Sequence, residues 1–171
     1  GTEGGMVNFG RPWTTRPVAL KLHCRYTTSN MDIIGKKLPP GVSLTKEDYD
    51  RAQIKVALGY WDYRKYGGTK ESPVHINTTD ASTFVDFAKD PSTVASGDLI
   101  LHKDGYILNG SDKVTASTWE WAEYTIPLTY SDMETLPTHI IVSCASSQFG
   151  DYFTGYDGGK LWIDGAELIY E

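Results

Sequence analysis

Three aromatic clusters give this sequence its clearest chemistry. Each cluster combines rings with aspartate or arginine, a pairing suited to a ligand with an apolar face and hydroxyl edges, such as a sugar. The candidate binding residues are Trp61, Asp62, Tyr63 and Arg64 in the first cluster, Trp119 and Trp121 in the second, and Asp151, Tyr152, Phe153 and Tyr156 in the third. The alternative is that these rings cover the ends of the fold or contact a neighbouring domain.

The acidic residues permit a second chemistry, hydrolysis of a glycosidic bond by two carboxyl groups. That reaction needs the two groups about 5 Å or about 6.5–9.5 Å apart. Glu120, Glu123 and Asp151 lie near aromatic residues, but a chain with 22 Asp and Glu contains such neighbours by chance. We therefore assign no catalytic residue and keep a two-carboxylate glycoside hydrolase as an alternative to a non-catalytic role.

Other catalytic motifs are missing from the sequence. The four histidines share no metal-ligand spacing, and no HExxH, CxxC, GxSxG or glycine-rich phosphate-binding motif occurs. These absences argue against transition-metal, nucleotide and serine-nucleophile chemistry. We therefore expect no cofactor of those kinds.

The composition predicts one folded domain spanning residues 1–171. With 40% hydrophobic and 22% charged residues, the chain can bury a sizeable core. The net charge of −6 and scattered basic residues argue against nucleic acid and anionic lipid as partners. No apolar run approaches the roughly 20 residues that span a bilayer. Cys24 and Cys144 fall on predicted core faces, where they either stay thiols or form a disulfide.

Alternation of apolar and polar residues with period two predicts the elements that position these side chains. The longest alternating runs are residues 18–26, 54–60, 122–128 and 140–144. Shorter strands are expected at 74–77, 99–102 and 106–108, and a final strand at 161–170 with a bulge at Asp164 and Gly165. The same parity predicts outward-facing side chains for Trp61, Trp119 and Trp121.

Turn residues separate these strands, and one short segment predicts a helix. Residues 43–51 read SLTKEDYDR, with Thr45 as the N-cap and Glu47 and Asp48 in the first turn. About eight strands with long connections favour an all-β fold. The length fits a two-sheet antiparallel jelly-roll β-sandwich better than a smaller immunoglobulin-like domain.

Three stretches of the chain resemble the putative carbohydrate metabolism domain family. They are FGRPWTTRPVALKLHCRY at 9–26, DYDRAQIKVALGYWD at 48–62 and THIIVSCASSQFGDYFTGYDGGKLWIDGAELIYE at 138–171. The resemblance implies a jelly roll similar to carbohydrate-binding modules, and an oligo- or polysaccharide partner. It also implies an extracellular or cell-surface parent protein, in which this domain follows an N-terminal domain.

The resemblance also raises the question of a structural calcium ion. The stretch LWIDGA at 161–166 matches a strand that often carries Ile-Asp-Asp in carbohydrate-binding modules, where the aspartate matching Asp164 helps to hold calcium. Calcium takes six to eight oxygen ligands, and Gly165 replaces the second aspartate.

The function expected from the residues and the resemblance together is a non-catalytic carbohydrate-binding module for glycan capture. The alternatives are the two-carboxylate hydrolase and a structural domain that presents a neighbouring domain. A cleft with two close acidic groups would favour the hydrolase. A large flat apolar patch would favour the structural domain.

Overall fold

Antiparallel strands make up most of the regular structure. The computed structural model describes residues 4–113 and 119–171. The strands are β1 (Met6–Phe9), β2 (Arg11–Pro12), β3 (Ala19–Thr27), β4 (Ala52–Gly59), β5 (Val74–Asn77), β6 (Thr93–His102), β7 (Gly105–Leu108), β8 (Ser111–Lys113), β9 (Ala122–Pro127), β10 (Thr129–Tyr130), β11 (His139–Ala145) and β12 (Lys160–Ile169). The described residues also form one helical turn, α1 (Tyr63–Tyr66), and 3-10 turns at Ala81–Thr83 and Gly150–Tyr152. No helix among them is long and apolar enough to cross a membrane.

Within the described residues, these strands form three sheets. The large sheet has the order β2-β11-β4-β6-β7-β8, with β10 also paired to β6. The second sheet has the order β12-β3-β9, and the third consists of β1 and β5. Neighbouring strands run antiparallel throughout. The predicted all-β, antiparallel class is confirmed, while the jelly-roll connectivity stays a prediction.

The main core lies between the large sheet and the three-stranded sheet. Alternate residues of β3, β4 and β6 supply it, as the period-two patterns predict. The buried side chains include Leu20, Leu22, Cys24, Tyr26, Ile54, Val56, Leu58, Leu99 and Leu101. Burial of each such aliphatic side chain stabilises the fold by roughly 1.5–3 kcal/mol. The strands predicted at 18–26 and 54–60 therefore exist with the expected inward faces, except that Tyr60 lies beyond the end of β4 and is 41% exposed.

A second hydrophobic cluster covers the other face of the large sheet. Ala57 of β4 and Ile141 of β11 point away from the main core and pack with Trp61, Val74 and Ile76. Trp61 does lie on the face opposite the core, but it is only 3% exposed. The prediction of an exposed Trp61 is wrong because residues 60–90 fold back over this part of the sheet.

The helix predicted at residues 43–51 is wrong. The segment forms a tight turn in which the Asp48 carboxylate accepts hydrogen bonds from the backbone N–H and the hydroxyl of Thr45. Tyr49 then forms a β-bridge with Asn30. A nine-residue segment with no apolar face gains too little from helix formation to compete with these contacts. The true helical turn, α1, is capped by Asp62 and was not predicted.

The bulge predicted in the last strand is confirmed. The register of β12 against β3 shifts between Asp164 and Glu167, and Gly165 has a φ of +60°, which favours glycine. Cys24 and Cys144 are both free thiols, so the disulfide alternative is not realised. Cys24 is buried as predicted, whereas the predicted core position of Cys144 is wrong because this residue is exposed. Burial raises the pKa of the Cys24 thiol to about 12.

Candidate functional site

A groove with a volume of about 740 Å³ lies on the outer face of the large sheet. Alternation along β4 and β6 provides its floor, because residues between the core positions point the other way. The two chain segments at 81–88 and 148–152 form its walls. The floor residues include Gln53, Lys55, Ser96, Asp98 and Ile100, and the wall residues include Phe84, Phe87, Phe149, Asp151 and Tyr152.

The floor of the groove centres on Asp98. It pairs across the sheet with Lys55, and the Gln53 side-chain amide donates to Asp98 Oδ2 at 2.6 Å. Asp98 Oδ1 is buried and has no hydrogen-bond partner among the described residues. Burial raises the pKa of the Asp98 carboxyl, although the Gln53 hydrogen bond and the Lys55 charge act in the opposite direction. The floor thus holds a carboxyl group whose charged form is disfavoured.

One wall of the groove is anchored by a buried carboxylate outside it. Asp50 is fully buried, and its oxygens accept hydrogen bonds from the Ser147 hydroxyl, the Tyr156 N–H at 2.9 Å and the Arg51 N–H at 2.7 Å. Burial raises the pKa of Asp50, opposed by these hydrogen bonds. Gly155 lies against the same carboxylate, where a larger side chain would collide with it. Asp50 thereby fixes both ends of the segment that contains the wall.

The other wall rests on the second hydrophobic cluster. Phe87 packs edge-to-face on Trp61 with ring centroids 5.6 Å apart. The Trp61 indole N–H and the Tyr66 hydroxyl both donate to Asp90 Oδ1, at 3.2 and 2.9 Å. The two walls touch through Phe84 and Tyr152, whose ring centroids are 5.1 Å apart. Buried aromatic packing therefore holds the shape of the groove.

The predicted binding residues do not lie together in one site. Asp151 and Tyr152 line the groove. Phe153 and Tyr156 follow them in the chain but are not among its lining residues. Asp62, Tyr63 and Arg64 lie at α1, where the Arg64 Nη2–Asp62 Oδ2 ion pair is 2.8 Å long and exposed. Trp61 supports a wall from beneath. The structure therefore does not bring the three aromatic clusters together.

Trp119 and Trp121 lie at the three-stranded sheet instead. Trp121 is 50% exposed beside the start of β9, whereas Trp119 is half-buried and its carbonyl oxygen accepts a hydrogen bond from Arg25 Nε at 3.0 Å. Glu120 and Glu123, the other two candidates for a carboxyl pair, also lie away from the lining of the groove. A pair formed by either of them with Asp151 is therefore not part of this site.

Sequence reasoning missed the floor of the groove. Gln53, Lys55 and Asp98 are not among the binding residues predicted from the sequence. The sequence does indicate them, because they are the polar residues that alternate with the apolar core residues of their strands. The groove forms only where segments far away in the chain pack over the sheet, and the alternation of residues within one strand cannot predict where those segments lie.

The donor set around Asp164 does not fit a calcium site. Asp164 lies on β12 opposite His23, and its Oδ1 accepts a hydrogen bond from the N–H of Gly165. No group of three or more potential side-chain ligands of the His, Cys, Asp and Glu types occurs among residues 4–113 and 119–171. One carboxylate next to an imidazole falls far short of the six to eight oxygens that calcium takes.

These features define an antiparallel β-sandwich domain with a concave groove on the outer face of its larger sheet. The model of the putative carbohydrate metabolism domain family matches residues 2–169. The chain belongs to this family, as the motifs at both ends and in the centre indicated.

Solved structures with a similar fold come from two Bacteroides species. A putative glycoside hydrolase from Bacteroides thetaiotaomicron VPI-5482 is 20% identical with a TM-score of 0.60, and the match covers 96% of this chain and 41% of that one. A putative glycoside hydrolase from Bacteroides vulgatus ATCC 8482 is 18% identical with a TM-score of 0.59, and the match covers 95% and 56%. The chain thus spans about half the length of these proteins or less. No curated protein matches the sequence.

Proposed function

We propose that this domain binds carbohydrate without catalysis and that its ligand lies in the groove of the large sheet. The observation that carries the proposal is the combination of aromatic walls with an amide, ammonium and carboxyl floor in one concave site. Such a site suits a sugar, because a pyranose ring presents apolar C–H faces and polar hydroxyl edges. Membership of a carbohydrate-related family supports the same ligand class.

In this proposal the walls and floor have different tasks. The rings of Phe149 and Tyr152 contact the apolar face of the sugar. Lys55 and Asp98 bond to its hydroxyls, and a protonated Asp98 can donate as well as accept. Because Asp50 and the second hydrophobic cluster hold both walls, little side-chain freedom is lost on binding, which favours affinity.

Calorimetric titration with oligosaccharides selected on a glycan array tests this proposal. We expect Tyr152→Ala and Lys55→Ala each to weaken binding by roughly tenfold, which corresponds to about 1.4 kcal/mol. Tyr60→Ala is the control, since Tyr60 is 41% exposed and lies outside the groove. Equal affinities of the wild type and the three variants, or no binding of the wild type to any glycan on the array, would contradict the proposal.

Glycoside hydrolysis is a second candidate, favoured by one observation. A carboxyl with a raised pKa in a groove is the kind of group that serves as a general acid, and Asp98 is such a group. Release of reducing sugar from the array hits by the wild-type domain, abolished in Asp98→Asn, would favour this candidate. Binding without release would leave the non-catalytic role.

We further propose that the domain works beside another domain of a longer extracellular or cell-surface protein. The similarity to chains about twice its length supports this arrangement. Protease treatment of intact cells that express the parent protein tests the location. Cleavage of the domain without lysis is expected, and full protection would contradict it.

A further inference from the structure

The outer face of the three-stranded sheet carries a second arrangement of aromatic and charged side chains. Trp162 of β12 pairs with Arg25 of β3 in the strand register. Trp121 directly precedes Ala122, which pairs with Cys24, so its place in the register is on the other side of Arg25. Two tryptophans therefore flank one arginine in a single row across the three strands. We call this row the tryptophan platform.

The central arginine of the platform is held in place. Its guanidinium carbon lies 5.2 Å from the centroid of the Trp162 ring, and its Nε donates to the carbonyl oxygen of Trp119. Stacking of this kind orients the planar guanidinium and stabilises it by cation–π attraction. The two tryptophans remain accessible, with Trp121 50% and Trp162 38% exposed.

The rows next to the platform consist of polar side chains that contact one another. Lys21 Nζ lies 2.9 Å from Glu167 Oε2, and His23 Nε2 lies 3.5 Å from Glu123 Oε2. The contact with Glu167 raises the pKa of Lys21, which strengthens the positive partner. Lys21 and Arg25 lie among the carboxylates of Glu123, Asp164 and Glu167, so this face has no concentrated positive charge that would favour an anionic ligand.

We propose that the tryptophan platform is a second carbohydrate-binding surface, one that takes an extended, uncharged polysaccharide. Adjacent strands lie about 4.8 Å apart, so two tryptophans separated by one strand lie roughly 10 Å apart. That distance lets the two rings contact sugars at separate positions along one flat chain. The polar side chains in the neighbouring rows provide hydrogen-bonding groups for hydroxyls.

This inference rests on the proposed carbohydrate binding but concerns a different face of the molecule. The groove lies on the outer face of the large sheet, and the tryptophan platform lies on the outer face of the opposing sheet. The groove suits a short segment enclosed on several sides. The open platform suits the surface of a long or insoluble chain.

Binding to insoluble polysaccharides tests the platform directly. The whole domain is mixed with cellulose, insoluble mannan or insoluble xylan, and the unbound protein is measured over a range of concentrations. We expect retention on at least one of these uncharged polymers, weakened roughly tenfold by Trp121→Ala and by Trp162→Ala. Tyr60→Ala serves as the exposed aromatic control, and circular dichroism verifies the fold of each variant.

The groove variant separates this inference from the proposed function. Tyr152→Ala is expected to retain binding to the insoluble polymer while losing affinity for soluble oligosaccharides. The platform proposal would be overturned if both tryptophan variants bound the insoluble polymers as well as the wild type does. It would also be overturned if the wild-type domain bound none of the three polymers. Capture by polygalacturonate alone would overturn it as well, since that polymer is anionic. Loss of binding in Tyr152→Ala alone would support the groove and reject the platform.

Discussion

Replacement of Asp50 by alanine tests whether one buried carboxylate holds the wall of the groove. Asp50 lies between the turn at residues 45–48 and β4, far in sequence from the segment it fixes. Its two oxygens accept three hydrogen bonds, two of them from the backbone N–H groups of Arg51 and Tyr156. Alanine removes the acceptors and leaves these part-buried donors without their partner.

The expected cost follows from those donors. A buried polar group left without its partner costs about 1–3 kcal/mol, so about 2–6 kcal/mol is the upper range for these two part-buried N–H groups. The burial that raises the pKa of Asp50 offsets part of this cost, because the substitution also removes a poorly solvated carboxyl. We therefore expect Asp50→Ala to lower the free energy of unfolding by about 2–4 kcal/mol. For a domain of this size the midpoint of thermal unfolding falls by roughly 5–15 °C.

Differential scanning calorimetry at neutral pH measures this change, with Asp157→Ala as the control. Asp157 lies in the same region of the chain and is exposed. A shift in Asp50→Ala no larger than the shift in Asp157→Ala would refute the role of the buried carboxylate. The stability loss should also be accompanied by weaker oligosaccharide binding, since Tyr152 belongs to the segment that Asp50 anchors.

Three further substitutions probe the packing and charge of the same region. Gly155→Ala should lower the free energy of unfolding in urea by about 1–3 kcal/mol, since the new Cβ would collide with the Ser147 hydroxyl and the Asp50 carboxylate. Gly5→Ala is the control and should be nearly neutral, because a Cβ at that position meets nothing within 4 Å. Asp98→Asn should match the wild type in acid and gain stability relative to it as the pH rises, because burial raises the pKa of Asp98 and ionising the carboxyl therefore costs stability. Urea unfolding midpoints of the variant and the wild type, measured over a range of pH, test this prediction. A difference between the two midpoints that does not change with pH would refute it. Trp61→Ala should lower the free energy of unfolding measured by calorimetry by about 3–5 kcal/mol, whereas Trp121→Ala should change it little, since of these two only Trp61 is buried. Equal losses would contradict the buried position of Trp61 and the exposed position of Trp121.

Local patterns predicted the strands well because burial on one face leaves a direct period-two signature. The inward residues of β3 and β4 and the bulge after Asp164 were all predicted from neighbours in the sequence. The resemblance of the terminal and central motifs likewise predicted the family. These features depend on residues a few positions apart, which a single sequence displays.

The site was predicted less well because it depends on contacts between distant segments. Parity placed Trp61 on the outward face, but parity cannot show that residues 60–90 cover that face. Asp151 and Tyr152 were chosen for their chemistry and do line the groove. Lys55 and Asp98 were missed, since their meeting on the floor requires the pairing of β4 with β6.

The position of β3 between β9 and β12 has a consequence for how the chain is made. On the ribosome β3 emerges more than a hundred residues before β12, and until then one of its edges has no partner. An unpaired, alternating strand of this kind invites pairing with other chains. Lys21 and Arg25 lie on its outer face, where their positive charge disfavours such contacts until Glu167 and Trp162 emerge and pair with them. The basic side chains that contact Glu167 and Trp162 in the finished sheet thereby also oppose aggregation of the growing chain.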